Sequence, residues 1–323
     1  AVFGGDHVYK MDVRQMQAFH RDADAALTVA AIPVPVEQAR SLGVFEVKPD
    51  GRAVYLHEKV ENPPEIPGMP GWCLASMGNY IFNTAHLTNA LMRDHDKIKV
   101  PDSVSDYDHT TSTKNDFGND VINDMIKQGA RVFVYDFNQN AIPGEVLEEG
   151  QMRYWRDVGK VDDFYSEVMD LRAVHPWLDQ YNEQWEIHGA AISGPGLKTV
   201  FDEGDKKGEF VGSIGGQGGT VVSGGKVYRS VLRSRIRVEE GAEVYDSFIM
   251  DRVHIGEGVQ IQNAIVDNGS VIPPGMQIGY DREADARMRE STPANRALYV
   301  SDSGIVVVPK MWNNPKFEPS LVR

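Results

Sequence analysis

The chain has 323 residues, 41% of them hydrophobic and 25% charged, with a formal net charge of −14 and one cysteine, Cys73. That length exceeds one typical domain and fits two. The acidic balance disfavours nonspecific binding to nucleic acid or anionic membranes, which needs clustered Lys and Arg. No apolar run approaches the roughly 20 residues of a spanning helix, and the first residues lack the basic region of a signal peptide. One cysteine permits no internal disulfide, so a reduced, cytoplasmic setting is expected. The nine histidines form no ligand spacing and there is no Cys-x-x-Cys. Any bound metal is therefore expected to be a hard cation on carboxylate and phosphate oxygens.

In chain order, residues 1–3 read as a buried strand ending at Gly4-Gly5, and residues 12–22 as an amphipathic helix. Residues 26–32 give the next strand and 36–42 a short helix. Residues 44–47 and 53–57 form a hairpin across Pro49-Asp50-Gly51. Residues 78–82 are a strand, 84–93 a helix and 94–114 a polar surface loop. Residues 121–128 are helical, 131–136 a strand, and 164–173 a helix closing this domain. Alternating strands and helices imply an α/β sheet of mostly parallel strands. Ligands sit beyond the carboxyl ends of strands in such sheets, where Asp6 falls. Residues 177–185 begin a link, and the Gly- and Ser-rich residues 208–225 are expected to loop around the domain junction.

From Ser230 a six-residue unit repeats: SVLRSR, IRVEEG, AEVYDS, the short FIMDR, VHIGEG, VQIQNA, IVDNGS and VIPPGM. Aliphatic residues lead the units, the mark of a hexapeptide parallel β-helix, with ordinary antiparallel strands as the alternative. Val253, Val259, Ile265 and Val271 are expected to stack as an internal column, and residues 304–309 to form a closing strand. The tail at 313–323 carries few signals of order. The organisation expected is thus an α/β domain over residues 1–175, a linker and junction over 176–225, and a β-helix over 226–323.

Few side chains are candidates for chemistry. Asp6, after an apolar strand and two glycines, either holds a metal ion against phosphate or caps a turn. Asp157, in Tyr154-Trp155-Arg156-Asp157-Val158-Gly159, is either a second metal ligand or a turn residue, and Trp155 either walls a sugar site or belongs to the core. Lys59 is a compact charge suited to phosphate, and Glu58 beside it can accept sugar hydroxyls, although such a pair also suits plain surface. Ser76 and Gly78 suit close approach to a ligand, and Asp116 is a candidate helix N-cap. Asp116-Phe117-Gly118 stands without other kinase motifs.

Taken together, these stretches resemble the bacterial glucose-1-phosphate adenylyltransferase family. The resemblance is carried in order by Gly5-Asp6-His7-Val8-Tyr9-Lys10-Met11-Asp12, Val34-Pro35-Val36, Gly43-Val44, Glu58-Lys59, Asn62-Pro63-Pro64, Leu74-Ala75-Ser76-Met77-Gly78, Asn115-Asp116-Phe117-Gly118, the Asp157 stretch, Val222-Ser223-Gly224-Gly225, the hexads and Val271-Ile272-Pro273-Pro274-Gly275-Met276. It implies a Rossmann-like nucleotidyltransferase sheet followed by a left-handed parallel β-helix, joining ATP and glucose 1-phosphate into ADP-glucose and pyrophosphate. It also implies Mg²⁺ on Asp6 and Asp157, sugar phosphate on Lys59, and a glucose pocket of Gly43, Glu58, Ser76, Asp116, Phe117 and Trp155. A homotetramer tuned by an anionic metabolite is implied too, for which Arg282, Arg287 and Arg289 are candidates, with solvated helix arginines as the other reading. The family's glycine-rich phosphate loop has no counterpart here: residues 215–219 are glycine-rich but lack basic flanks. The sheet is therefore expected to be N-terminally incomplete, completed upstream or by a partner. A non-catalytic regulatory subunit and a pyrophosphorylase for another nucleotide or sugar remain alternatives. An acyltransferase is disfavoured, because His254 is the ladder's one histidine.

Overall fold

The computed structural model describes residues 1–97, 116–148, 150–189, 192–200, 206–291 and 297–314. The chain divides into two compact units, residues 1–157 with 182–185, and residues 158–181 with 186–323. The loop expected at 94–114 and the tail at 313–323 fall almost wholly outside the described residues.

The first unit runs β1 (Val2–Phe3), β2 (His7–Tyr9), α1 (Val13–Asp22), β3 (Leu27–Pro35), α2 (Val36–Ala39), β4 (Gly43–Val47), β5 (Ala53–Glu58), β6 (Trp72–Phe82) and α3 (Thr84–His95). A π-turn at Phe117–Ile122, α4 (Asn123–Lys127), β7 (Val132–Asp136) and β8 (Trp155–Asp157) follow. The main sheet has the order β5-β4-β6-β3-β7, with β1 also on β6, and β2 pairs separately with β8.

β3 is the axis of this unit. Its sequence LTVAAIPVP is almost continuously apolar and buried, as a strand covered on both faces must be. Leu27, Val29 and Ala31 enter one core with Val121, Ile122 and Met125, while Ala30, Ile32 and Val34 enter the other with Met16. Helices thus cover both faces. Mostly parallel strands were expected; among the described strands only β3 and β7 pair in parallel, whereas β6 is antiparallel to β3, β4 and β1. The reason is connectivity: β4 and β5 form the expected hairpin and β6 returns without a crossover helix, which parallel pairing requires. β1 corrects a second expectation. It is a two-residue edge strand with Phe3 41% exposed rather than a buried one.

The second unit is a parallel β-helix. Three sheets of short parallel strands carry the interior columns Val227, Val244, Ile261, Ile278; Leu232, Ile249, Val266, Val308; and Val222, Val238, Ile255, Ile272. Successive coils lie 17 residues apart, three units of six less one. Left-handed residues sit at corners of the described coil, and the columns Gly212, Arg229, Asp246, Asn263 and Gly224, Gly241, Gly258, Gly275 keep that same step.

Two expectations change here. Strands Lys198–Val200, Glu209–Val211, Ile214–Gly215 and Val221–Ser223 already pair within the coil, so the described part of the expected linker from Lys198 onward is β-helix. The column Val253, Val259, Ile265, Val271 does not exist, because a step of six moves to the next side of the triangle. Val253 and Val259 lie in the interior, but Ile265 faces outward into a separate cluster with Val231, Phe248 and Ile305. Helix α5 (Val161–Asp170) covers that cluster through Val161, Phe164, Tyr165 and Val168. It falls in the second compact unit and packs on the coil. Strand Val306–Val308 closes the coil as expected, after helix α6 (Arg282–Ser291).

Candidate functional site

A bulge in β6 organises the first unit's polar residues. Its pairing with β3 jumps from Ala30–Asn79 to Ala31–Ser76, so Met77 and Gly78 are extra residues. Gly78 takes φ +68°, a conformation glycine adopts without strain, and its carbonyl accepts from the Gly4 N–H at 3.0 Å. This bond anchors the turn that carries Asp6. β2 and β8 then pair antiparallel with His7 opposite Asp157 and Tyr9 opposite Trp155.

Asp6, His7 and Asp157 consequently cluster, with one potential ligand atom from each lying within 4.8 Å of the others. Both carboxylates are exposed and His7 is partly buried. His7 Nε2 lies 3.7 Å from Asp6 Oδ1. The imidazole rests on Trp155, ring centroids 5.2 Å apart, and its Nδ1 is buried without a hydrogen-bond partner. Trp155 is 5% exposed and packs in the core. Of its two sequence readings, the core one describes its position, as support for His7.

A second group gathers at the end of β5. The buried Asn123 accepts from the Leu56 N–H and donates to its carbonyl, both at 2.9 Å, which locks β5 to the helix across the sheet. Glu58 follows, half-buried. A Cβ placed on Gly43 would fall 2.7 Å from Glu58 Oε2, and one on Gly118 would fall 3.2 Å from both Glu58 Oε2 and Asp116 Oδ1. Burial, and then the Asp116 charge, push the Glu58 carboxyl above its ordinary range, against the opposing pull of Lys59. Lys59 is exposed and holds φ +51°, an uncommon conformation for a side-chain-bearing residue. Asp116 caps the π-turn by accepting from Asn119 N–H at 2.8 Å, the bland role foreseen for it. Phe117 stacks on Tyr80, centroids 5.9 Å apart and 15° from parallel. Burial raises the Tyr80 phenol pKa, against the opposing pull of the Ser76 hydroxyl. Ser76 Oγ also accepts from the Gly78 N–H, tying this group to the bulge.

The sequence reading missed His7 and Tyr80 as individual residues. His7 stands next to Asp6, and Tyr80 shares a strand face with Ser76 four residues away, so adjacency and period-two spacing were the available signals. The effector arginines whose side chains are described have partners of their own. Arg282 donates to the Ser303 carbonyl and Arg287 pairs with Glu283 at 3.8 Å, while the Arg289 side chain lies outside the description. His254, exposed on the coil, pairs with Glu239 at 3.0 Å. No described helix is long and apolar enough to cross a membrane.

Comparison with known proteins agrees with this architecture. Residues 1–174 match the nucleotidyl transferase model and residues 195–308 the GlmU-like, C-terminal hexapeptide model. The chain is 46% identical over 310 residues to glucose-1-phosphate adenylyltransferase of Thermus thermophilus, covering 96% of this chain and 69% of that one. The proteins of that name from Anaeromyxobacter dehalogenans and Trichlorobacter lovleyi are 43% and 41% identical, each with 96% of this chain and 69% of the relative covered. With a nucleotidyltransferase sheet, a hexapeptide coil and this similarity along nearly its whole length, the chain belongs to the glucose-1-phosphate adenylyltransferase family.

Proposed function

We propose that the protein transfers the adenylyl group of ATP to glucose 1-phosphate, giving ADP-glucose and pyrophosphate. The observation that carries this is the convergence of Asp6, from the turn before β2, and Asp157, from the paired β8, onto one exposed point. Two carboxylates offer the oxygen donors that Mg²⁺ prefers, so the donor set fits that ion. Mg²⁺ there would neutralise phosphate charge as a Lewis acid.

The chain's own residues supply the remaining roles. Lys59 holds the phosphate of glucose 1-phosphate by charge. Glu58 and Asp116 accept hydrogen bonds from sugar hydroxyls, and Ser76 donates or accepts beside them. Phe117 and Tyr80, already stacked, present an apolar wall to the pyranose. Gly43 leaves room for the Glu58 carboxylate, and Trp155 supports the pocket from behind His7. A phosphate oxygen of glucose 1-phosphate attacks the α-phosphorus of ATP in line. The new P–O bond forms as the bond to the β-phosphate oxygen breaks, and pyrophosphate leaves with that electron pair. Positioning and charge stabilisation account for the acceleration.

The protein is further proposed to act in the cytoplasm as a homotetramer under control of an anionic metabolite. For Arg282 and Arg287 to bind such an effector, they must exchange Ser303 and Glu283 for it. The site is tested by Asp6→Asn and Asp157→Asn. Each is expected to lower turnover by at least about a hundredfold with unchanged circular dichroism. Near-normal turnover in either variant refutes the carboxylate pair.

A further inference from the structure

The imidazole of His7 has no part in the mechanism above, yet the fold goes to some length to place it. Gly4 and Gly78 flank the ring: a Cβ on Gly4 would lie 2.8 Å from His7 Nδ1, and one on Gly78 would lie 3.1 Å from His7 Cε1. Trp155 closes the cage from a third side. Side chains at either glycine would displace the ring, so the two glycines and the β6 bulge fix its orientation by packing. Metal-bound imidazoles usually donate their other ring N–H to a partner that fixes them. Here Nδ1 is buried and unpartnered, and the cage takes over the orienting role.

The 3.7 Å separation of His7 Nε2 and Asp6 Oδ1 is informative. It is longer than an N–H···O hydrogen bond, about 2.7–3.2 Å. It is also slightly longer than the roughly 3.0–3.6 Å between two atoms that share one cation at about 2.1–2.2 Å each, so a bound ion would draw the two together by a few tenths of an ångström. Asp157, opposite His7 in the β2–β8 register, brings the third donor within 4.8 Å of both.

We propose that His7 is a third protein ligand, making a two-carboxylate, one-imidazole site that favours Mn²⁺ and Co²⁺ over Mg²⁺ more than two carboxylates alone would. The inference rests on the reading of Asp6 and Asp157 as the metal pair. An imidazole nitrogen adds affinity for transition metals, whereas Mg²⁺ gains little from it. The site thereby discriminates among divalent ions by ligand chemistry rather than by size.

The test is direct metal binding, without turnover. Mn²⁺ is titrated into the purified protein, Mg²⁺ is titrated in competition, and the bound Mn²⁺ is examined by electron spin-echo spectroscopy. The wild type is expected to show nitrogen coupling to Mn²⁺. His7→Gln, which replaces nitrogen by oxygen, is expected to lose the coupling and to lower the Mn²⁺/Mg²⁺ affinity ratio roughly tenfold. Gly4→Ala, which crowds the ring while leaving His7 in the chain, is expected to lower the ratio in the same direction and serves if His7→Gln fails to fold. Suppose Mn²⁺ binds, Asp157→Asn abolishes binding, and yet no nitrogen coupling is seen and the ratio is unchanged in the variants. The carboxylate pair then stands and the His7 proposal is overturned. Mn²⁺ binding that survives Asp157→Asn overturns both.

Discussion

Gly43→Ala separates a role in substrate binding from a role in the fold. Gly43 opens β4 and is not among the residues with positive φ, so an added methyl group brings no backbone strain. Its collision is with Glu58 Oε2 at 2.7 Å, with Leu56 Cδ1 at 3.3 Å behind it. Restoring an ordinary contact moves the carboxylate by about 0.7 Å. The end of a glutamate can move that far for about 0.5–1.5 kcal/mol of rotamer strain. Reduced entropy of the unfolded chain returns about 0.4–1 kcal/mol. Stability should therefore change by less than about 1 kcal/mol, or roughly 3 °C in Tm. Substrate binding is not protected in this way. A hydrogen bond to a charged acceptor contributes about 1.5–3 kcal/mol, and losing half of that raises the KM for glucose 1-phosphate about four- to thirteenfold. The assay is pyrophosphate release with each substrate varied in turn, alongside a thermal melt. Equal rises in the KM for ATP and for glucose 1-phosphate would refute the placement of Glu58 at the sugar, and so would a Tm loss well beyond 3 °C with unchanged kinetics.

Lys59→Ala should raise the KM for glucose 1-phosphate far more than that for ATP, by about tenfold or more for a lost charge-assisted phosphate contact; equal losses would remove Lys59 from the sugar phosphate. Ile261→Ala, at a fully buried position between Val244 and Ile278, should cost about 2–5 kcal/mol by urea denaturation. A cost below about 1 kcal/mol would contradict the interior column. Asp12 caps α1, and its hydrogen bonds from the Arg14 side chain hold the carboxyl at about 2. Because the folded value lies below the unfolded one, this stabilisation is present above about pH 4 and fades as pH falls towards 2. The stability gap between wild type and Asp12→Asn should close over that window, and a constant gap would show that the cap is not titrating.

How much was legible in the sequence depended on what forces the pattern. The β4–β5 hairpin was readable because Pro49-Asp50-Gly51 leaves few other conformations between two apolar runs. The β-helix was readable because each side of the triangle demands an inward aliphatic residue. Which residues stack was not readable from a period of six, because it gives the side of the coil while the 17-residue step gives its height. The same ambiguity placed Ile265 inside, when it lies outside beneath α5. Strand direction in the first unit was equally hidden: the apolar run of β3 announces a strand covered on both faces but says nothing of its neighbours' direction. The sequence named Asp6, Glu58, Lys59 and Asp157 through short stretches, yet the groupings depend on the Met77-Gly78 bulge, whose two extra residues resemble any glycine-containing strand. His7 and Tyr80 escaped notice because their importance lies in what the bulge turns towards them.

The central claim is adenylyl transfer at the Asp6–Asp157 point, and pyrophosphate release by the purified protein tests it most directly. The protein is incubated with glucose 1-phosphate, a divalent cation and each nucleoside triphosphate in turn, beside Asp6→Asn. Release is predicted with ATP in preference to the other triphosphates, only when glucose 1-phosphate is present, and at a rate that Asp6→Asn lowers by at least about a hundredfold. Release with another triphosphate in preference to ATP, or at an unchanged rate in Asp6→Asn, would contradict the account.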